Sequence, residues 1–169
     1  MRKYLSEYLG TFILIFCGTG AAIVDETMHG SVTHVGVAII FGLIVMALIY
    51  AFGDISGAHI NPAVTLAFTA AKLFPVKELV PYLLAQLAGA VSASGLLAYL
   101  FPSSLTLGAT LPANGWQQSF ILEIILTCIL MLVVFRVSTG SKEQGLFAGA
   151  AIGSVVLVEA MFAGPVSGA

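Results

Sequence analysis

Ser56-Gly57-Ala58-His59-Ile60-Asn61-Pro62-Ala63-Val64-Thr65 decides how the rest of the chain is read. It lies between two long apolar runs, yet it carries a histidine, an asparagine, two hydroxyls and a proline. Asn61 followed by Pro62 reads as a helix start. Asparagine is a favoured N-cap, and proline suits the first helical position, where its missing N–H has no intrahelical partner to lose. The helix so opened runs from Pro62 to about Ala71, before Lys72 and Pro75. About ten residues at 1.5 Å each reach roughly 15 Å, half of a hydrocarbon core about 30 Å thick. A half-spanning helix with a polar tip in the membrane belongs to a channel or a transporter.

Composition puts the whole chain in a membrane. Of 169 residues, 59% are hydrophobic and only 8% charged, with a mean hydropathy of +1.07. Soluble domains carry about 25% charged residues, so this reads as an integral membrane protein. A net charge of −2 with no basic run gives no reason to expect a nucleic-acid partner. Cys17 and Cys128 fall inside apolar runs and read as small buried hydrophobes, with neither a disulfide framework nor metal-ligand spacing. Arg2 and Lys3 ahead of an apolar run mimic a secretory signal, but Glu7 interrupts the start and the segment is long enough to span. It reads as a retained first span.

Five full-length apolar segments can be drawn, over residues 4–24, 35–53, 80–101, 117–137 and 145–163, with the half-helix between the second and third. The connections 25–34, 72–79, 102–116 and 138–144 hold the glycine, proline, serine and charged residues that end helices. The six basic residues are Arg2, Lys3, Lys72, Lys77, Arg136 and Lys142. If the half-helix dips in and returns, all six share one face. The positive-inside rule then makes that face, and the N-terminus, cytoplasmic. A complete crossing after Asn61 would put Lys72 and Lys77 outside, so charge and length agree on a re-entrant segment.

The chain also repeats itself. Glu7, Thr11, Ile13 and Leu14 recur at identical spacing as Glu123, Thr127, Ile129 and Leu130. Gly53-Asp54-Ile55-Ser56-Gly57-Ala58 is echoed by Gly164-Pro165-Val166-Ser167-Gly168-Ala169. A unit of three spans must invert on repetition, which divides a single channel domain, 1–169, into a first repeat over 1–101 and an incomplete second over 117–169. The second copy stops at Ala169, one step short of its own half-helix. The chain is therefore expected to be a fragment, missing a second half-helix and a sixth span, and to form no selective channel alone.

Glu7 and Glu123 lie inside apolar segments, where a carboxylate costs a few kcal/mol unless it faces protein and accepts hydrogen bonds. Free backbone N–H groups of re-entrant segments are the obvious donors. Both glutamates therefore read as scaffold, and Gln86 as a third member. His59 reads as a hydrogen-bonded structural histidine, since no ligand stands at metal spacing beside it. Asp54 reads as a solvated loop carboxylate. Glu159 either lines an outer vestibule or reaches for the headgroups. Gly145, Gly149 and Gly153, like Ala85, Gly89 and Ala93, make stripes that let helix backbones approach closely.

With these residues in view, the chain resembles the major intrinsic proteins, the aquaporins and glycerol facilitators. Residues 56–65 resemble their first signature loop, Glu7-Tyr8-Leu9-Gly10-Thr11-Phe12 the start of their first helix, Ala85-Gln86-Leu87-Ala88-Gly89-Ala90 their third, and 164–169 the approach to their second Asn-Pro-Ala. The resemblance implies an all-α membrane protein of the aquaporin-like inverted-repeat fold, with five full transmembrane helices and one re-entrant half-helix in this chain, assembled as a homotetramer in the cell membrane. It implies a constriction at Asn61, Pro62 and Ala63, where the Asn61 amide donates to the passing molecule. A ladder of carbonyls from Gly57, Ala58, His59 and Ile60 would lead there, and Phe41, Ala160 and Ala169 would form an outer filter. Alanine at the last two implies a gate wide enough for glycerol, ammonia or undissociated metalloid acids besides water. The expected function is a passive channel for small neutral solutes that excludes protons. The competing reading is a proton-coupled carrier using Glu7, Glu123 and Glu159. An intramembrane enzyme would need a nucleophile–base pair or metal cluster, and neither is legible; no cofactor is expected.

Overall fold

A computed structural model describes residues 1–168. Its helices, in order, are α1 (Arg2–Thr27), α2 (Thr33–Ser56), α3 (Pro62–Ala70), α4 (Val76–Leu100), α5 (Trp116–Thr139), α6 (Lys142–Leu146) and α7 (Ala148–Ser167). Helices α1, α2, α4, α5 and α7 are long and apolar enough to cross a membrane, and the chain is a multi-pass membrane protein. Large apolar side chains such as Leu84, Val91 and Leu132 stand on the outside of the bundle, as lipid requires.

The half-helix α3 is nine residues long and starts at Pro62, with Asn61 as its N-cap. The helix bounds differ from the sequence reading by up to four residues: α1 ends at Thr27, not 24, α2 at Ser56, not 53, and α7 at Ser167, not 163. Helix α4 begins at Val76, not residue 80, because Lys77 and Glu78 do not break it: Glu78 accepts from Lys3 Nζ at 2.8 Å and from the Tyr4 hydroxyl at 2.8 Å. Pro81 is carried within its first turns. The connection at 138–144 holds the short helix α6, opened by a capping box in which Ser141 accepts from the Gln144 N–H. Helix α7 consequently starts at Ala148, and Gly145 belongs to α6 with nothing near it, outside the packing stripe.

The remaining glycines of those stripes do pack. A Cβ on Gly153 would lie 2.6 Å from the Gly42 carbonyl, and one on Gly42 would lie 2.7 Å from the Gly153 carbonyl, so α2 and α7 touch backbone to backbone. Gly89 seats α4 against the Tyr8 carbonyl of α1 in the same way.

Hydrogen bonds fix which helix ends lie together. The starts of α1 and α4 meet through Glu78. The end of α2 meets α4 where the Tyr82 hydroxyl donates to Ser56 O, and it meets α7 where the Ala150 N–H donates to the Tyr50 hydroxyl. Arg136 and Lys142 flank the turn from α5 into α6 at that same end. At the opposite end, Ser104 and Thr106 both donate to Glu26. There His34 Nε2 also donates to Met161 O at 2.9 Å. That last carbonyl is free because Pro165, four residues on, has no N–H to offer it. All six basic residues thus stand at one end, and α3 returns to the end from which its segment entered.

Candidate functional site

The segment between α2 and α3 is a strained turn held by a buried carboxylate. Gly57 ends α2 in the left-handed region at φ 84°, and Ala58 (47°) and Ile60 (40°) are left-handed too. Such backbone costs about 1–2 kcal/mol per L-residue, more for a β-branched one, and needs an opposing force. Glu7 supplies it. Ser56 Oγ donates to Glu7 Oε1 at 2.6 Å and the His59 N–H to the same oxygen at 3.0 Å. The Ile60 N–H and Gln86 Nε2 donate to Oε2 at 2.7 and 2.8 Å. Glu7 is 0% exposed, so these charge-assisted bonds, each contributing about 1.5–3 kcal/mol, act undiluted by water.

The same bonds orient the carbonyls. In a trans peptide the C=O points opposite to the following N–H. With the N–H groups of His59 and Ile60 aimed at Glu7, the carbonyls of Ala58 and His59 point away from it. The Ala58 N–H, held by Ser56 Oγ at 3.1 Å, turns the Gly57 carbonyl likewise. None of the carbonyls of Gly57, Ala58, His59 and Ile60 accepts a hydrogen bond among the described residues. All four residues and Asn61 line a cavity of about 520 Å³ that opens at the basic end.

Asn61 stands at the head of that cavity. Its Oδ1 accepts the Ala63 N–H at 2.7 Å, which fixes the amide so that Nδ2 is free to donate. Pro62 and Ala63 are exposed at the tip. His59 is buried and stacks on Phe68 (4.9 Å between ring centres) beside Phe74 and Tyr82. Thr65 Oγ1 donates its one hydrogen to Asn61 O at 3.0 Å, so His59 Nδ1, 3.2 Å away, must be the donor to that oxygen. This leaves Nε2 as an acceptor beside Gly57. Gln86 Nε2 completes the group by donating to Thr65 Oγ1 at 2.9 Å. No cluster of metal-ligating side chains occurs among the described residues.

A second cavity, about 480 Å³, opens at the other end. Phe41 and Ala160 both line it, while Ala169 lies outside the described residues. Asp54 is exposed but sits in the last turn of α2 rather than on a loop. Glu123 is half-buried on α5 and has no hydrogen-bond partner among the described residues; Glu159 buries one carboxylate oxygen without a partner. Cys128, read as buried, is exposed on α5, and Cys17 is half-buried. The sequence reading passed over Thr65, Tyr82 and His34. Pro165 signals the orphaned Met161 carbonyl, but nothing in the pattern points to His34 as its donor.

The profile of the major intrinsic proteins matches residues 1–169. Aquaporin NIP1-1 of Zea mays is 45% identical over 170 residues, which take in 100% of this chain and 60% of the relative. Nodulin-26 of Glycine max is 41% identical, with 100% and 63% covered. The X-ray structure of the aquaglyceroporin from Plasmodium falciparum superposes with a TM-score of 0.87 at 28% identity, over 99% of this chain and 74% of that one. The chain spans about 60% of the length of the Zea mays relative. A profile matched throughout, on a bundle that superposes on a solved aquaglyceroporin, establishes that this chain belongs to the major intrinsic protein family.

Proposed function

We propose that the protein is a passive transmembrane channel for water and small uncharged solutes. One observation carries the reading: the Asn61 amide is left free to donate at the head of a cavity along which four carbonyls have no partner. A neutral solute would shed water onto the carbonyls of Gly57, Ala58, His59 and Ile60 in turn and then accept from Asn61 Nδ2. The N-terminus of α3 adds about half a positive charge there. That end repels cations, and opposed by a second half-helix it would turn each water's oxygen toward the centre and break the proton wire. Pro62 and Ala63 would shape the tip. Glu7 and Gln86 position the turn, and Glu123 would do so in an inverted second repeat (117–169) following the first (1–101). Phe41, Ala160 and Ala169 would form an outer gate, wide enough through its alanines for glycerol, ammonia or undissociated metalloid acids.

The names of the similar proteins, aquaporin and aquaglyceroporin, agree with this reading. We place the channel in the cell membrane as a homotetramer, with its N-terminus cytoplasmic by the positive-inside rule. A proton relay through Glu7 is disfavoured. A carboxylate offers about four lone-pair sites, and all are taken by the four donors above. The test is stopped-flow light scattering on proteoliposomes carrying the protein at its natural full length. Osmotic water flow and glycerol entry, with an undisturbed internal pH, are expected. Solute uptake that needs and dissipates a proton gradient would overturn the proposal.

A further inference from the structure

The cavity that opens at the basic end offers acceptors in excess of donors. The four carbonyls of residues 57–60 are unpartnered there. His59 stands among them, only 7% exposed, and its Nε2 is an acceptor without a partner. The side-chain atoms sealed from solvent with no partner are Thr11 Oγ1, Gln86 Oε1 and Glu159 Oε1. His59 Nε2 is not one of them, so it still opens onto the cavity that His59 lines.

One charged side chain lines this cavity. Asp54, in the last turn of α2, is exposed and makes neither a hydrogen bond nor an ion pair among the described residues. The six basic residues gather at the same end of the bundle, yet none of them lines the cavity. Much of the remaining lining is aliphatic, with Val45 and Ile49 from α2, Val134 from α5 and Ile152 from α7.

A carboxylate followed by a run of carbonyls matches a cation that donates N–H bonds. Fixed backbone oxygens replace part of its hydration shell, and the carboxylate adds a charge-assisted bond. A neutral solute gains nothing from that charge. Deeper in, the field reverses, because the N-terminus of α3 carries about half a positive charge. A cation drawn past Asp54 therefore halts below Asn61. The aliphatic lining receives a short hydrocarbon tail, and a volume of about 520 Å³ holds both parts.

We infer that this cavity binds a small organic cation with N–H donors, an alkylguanidinium or alkylammonium, held between Asp54 and the unpartnered carbonyls, and that the bound cation blocks flow from the basic end. The site follows from the lining. Its effect on flow rests on the channel reading above.

The probe is n-propylguanidinium, whose head stays charged at any working pH; n-propylurea is its neutral counterpart of the same shape. With either on both sides of proteoliposomes carrying the full-length protein, water flow is followed by stopped-flow light scattering. Propylguanidinium should halve the flow at about 1–10 mM, the range of a weak small-ligand site, and propylurea should leave it unchanged. Asp54→Asn should raise the half-inhibitory concentration about fivefold, the weight of one exposed charge pair. Glu143→Gln removes an exposed carboxylate outside the cavity and should not move it. In sealed right-side-out vesicles the cation should act when trapped inside and not when added outside. Equal block by propylurea, equal block from outside, or an Asp54→Asn curve identical to wild type overturns the inference while leaving the channel standing. If Asp54→Asn does not assemble, the sidedness of block decides. Saturation-transfer NMR of propylguanidinium with the detergent-solubilised protein separates the two readings. Binding to protein that passes no water overturns the channel and keeps the site, whereas absence of binding overturns the site whatever the flow.

Discussion

Glu7 and Glu123 stand at matching places in two apolar helices, and their surroundings differ sharply. Glu7 is fully enclosed and accepts from a hydroxyl, two backbone N–H groups and an amide. Glu123 is half-buried and accepts from nothing among the described residues. The helices that precede their respective turns nevertheless end alike: Gly57 and Gly168 both adopt φ 84°, each N–H returning to the carbonyl four residues back. Residues 58–60 follow Gly57 and bring their N–H groups to Glu7, whereas the position after Gly168 is Ala169, outside the described residues. The Glu7 carboxylate is held by donors that its own turn and helix α4 bring to it.

The sharpest way to break this contrast is to neutralise each carboxylate. In the 169-residue chain, Glu7→Gln should lower unfolding stability in detergent by about 2–6 kcal/mol, since the new NH2 group would face two buried donors and leave each unsatisfied at about 1–3 kcal/mol. Glu123→Gln should change it by less than about 1 kcal/mol. Equal losses would mean that the donors around Glu7 do not distinguish the two. Next in size is Gly89→Val, which presses α4 off the Tyr8 backbone and draws Gln86 away from Glu7. A loss of about 2–3 kcal/mol is expected. The double variant with Glu7→Gln should lose less than the sum of the two single losses, as neighbours sharing a network do.

Gln86→Leu should cost about 1–2 kcal/mol. It removes donors to Glu7 and Thr65, but it also removes an amide oxygen that is buried without a partner. The smallest effect expected is for Gly145→Ala. The site is open and lies within α6, so helix propensity should hold stability level or raise it by about 0.5–1 kcal/mol. A clear loss there would return Gly145 to the packed stripe. Each value is read from denaturant unfolding followed by circular dichroism.

Much of the fold was legible because lipid imposes simple rules. Five runs of sufficient length had to be helices, and Asn61 with Pro62 had to open a short one. Errors of three or four residues fall at the starts of α4 and α7 and at the ends of α1, α2 and α7. Lys77 and Glu78 looked like a connection, yet a membrane-end helix can hold them in its first turn when Lys3 and Tyr4 of the adjacent helix answer Glu78. The capping box at Ser141 and Gln144 was present in the sequence as a helix start inside an apparent loop, and reading it would have moved the start of α7 to Ala148. At the candidate site, the need of Glu7 for donors follows from burial alone. That Thr65 and Gln86 form one group with it does not, since the two lie on different helices and meet only after packing. The approach of Gly108 to Thr19 of α1 is of the same kind: a long connection shows in the pattern, but its inward path does not.

Whether the segment after Asn61 enters and leaves by one face is tested most directly by sidedness. Single cysteines at Arg2, Lys72 and Leu105, the last fully outside on the connection at 101–115, would be probed in sealed right-side-out vesicles with a membrane-impermeant maleimide, with Cys17 and Cys128 replaced by serine. A re-entrant half-helix predicts labelling at position 105 and protection at both 2 and 72 until the vesicles are opened. Labelling at position 72 with protection at position 2 would show a complete crossing and contradict it.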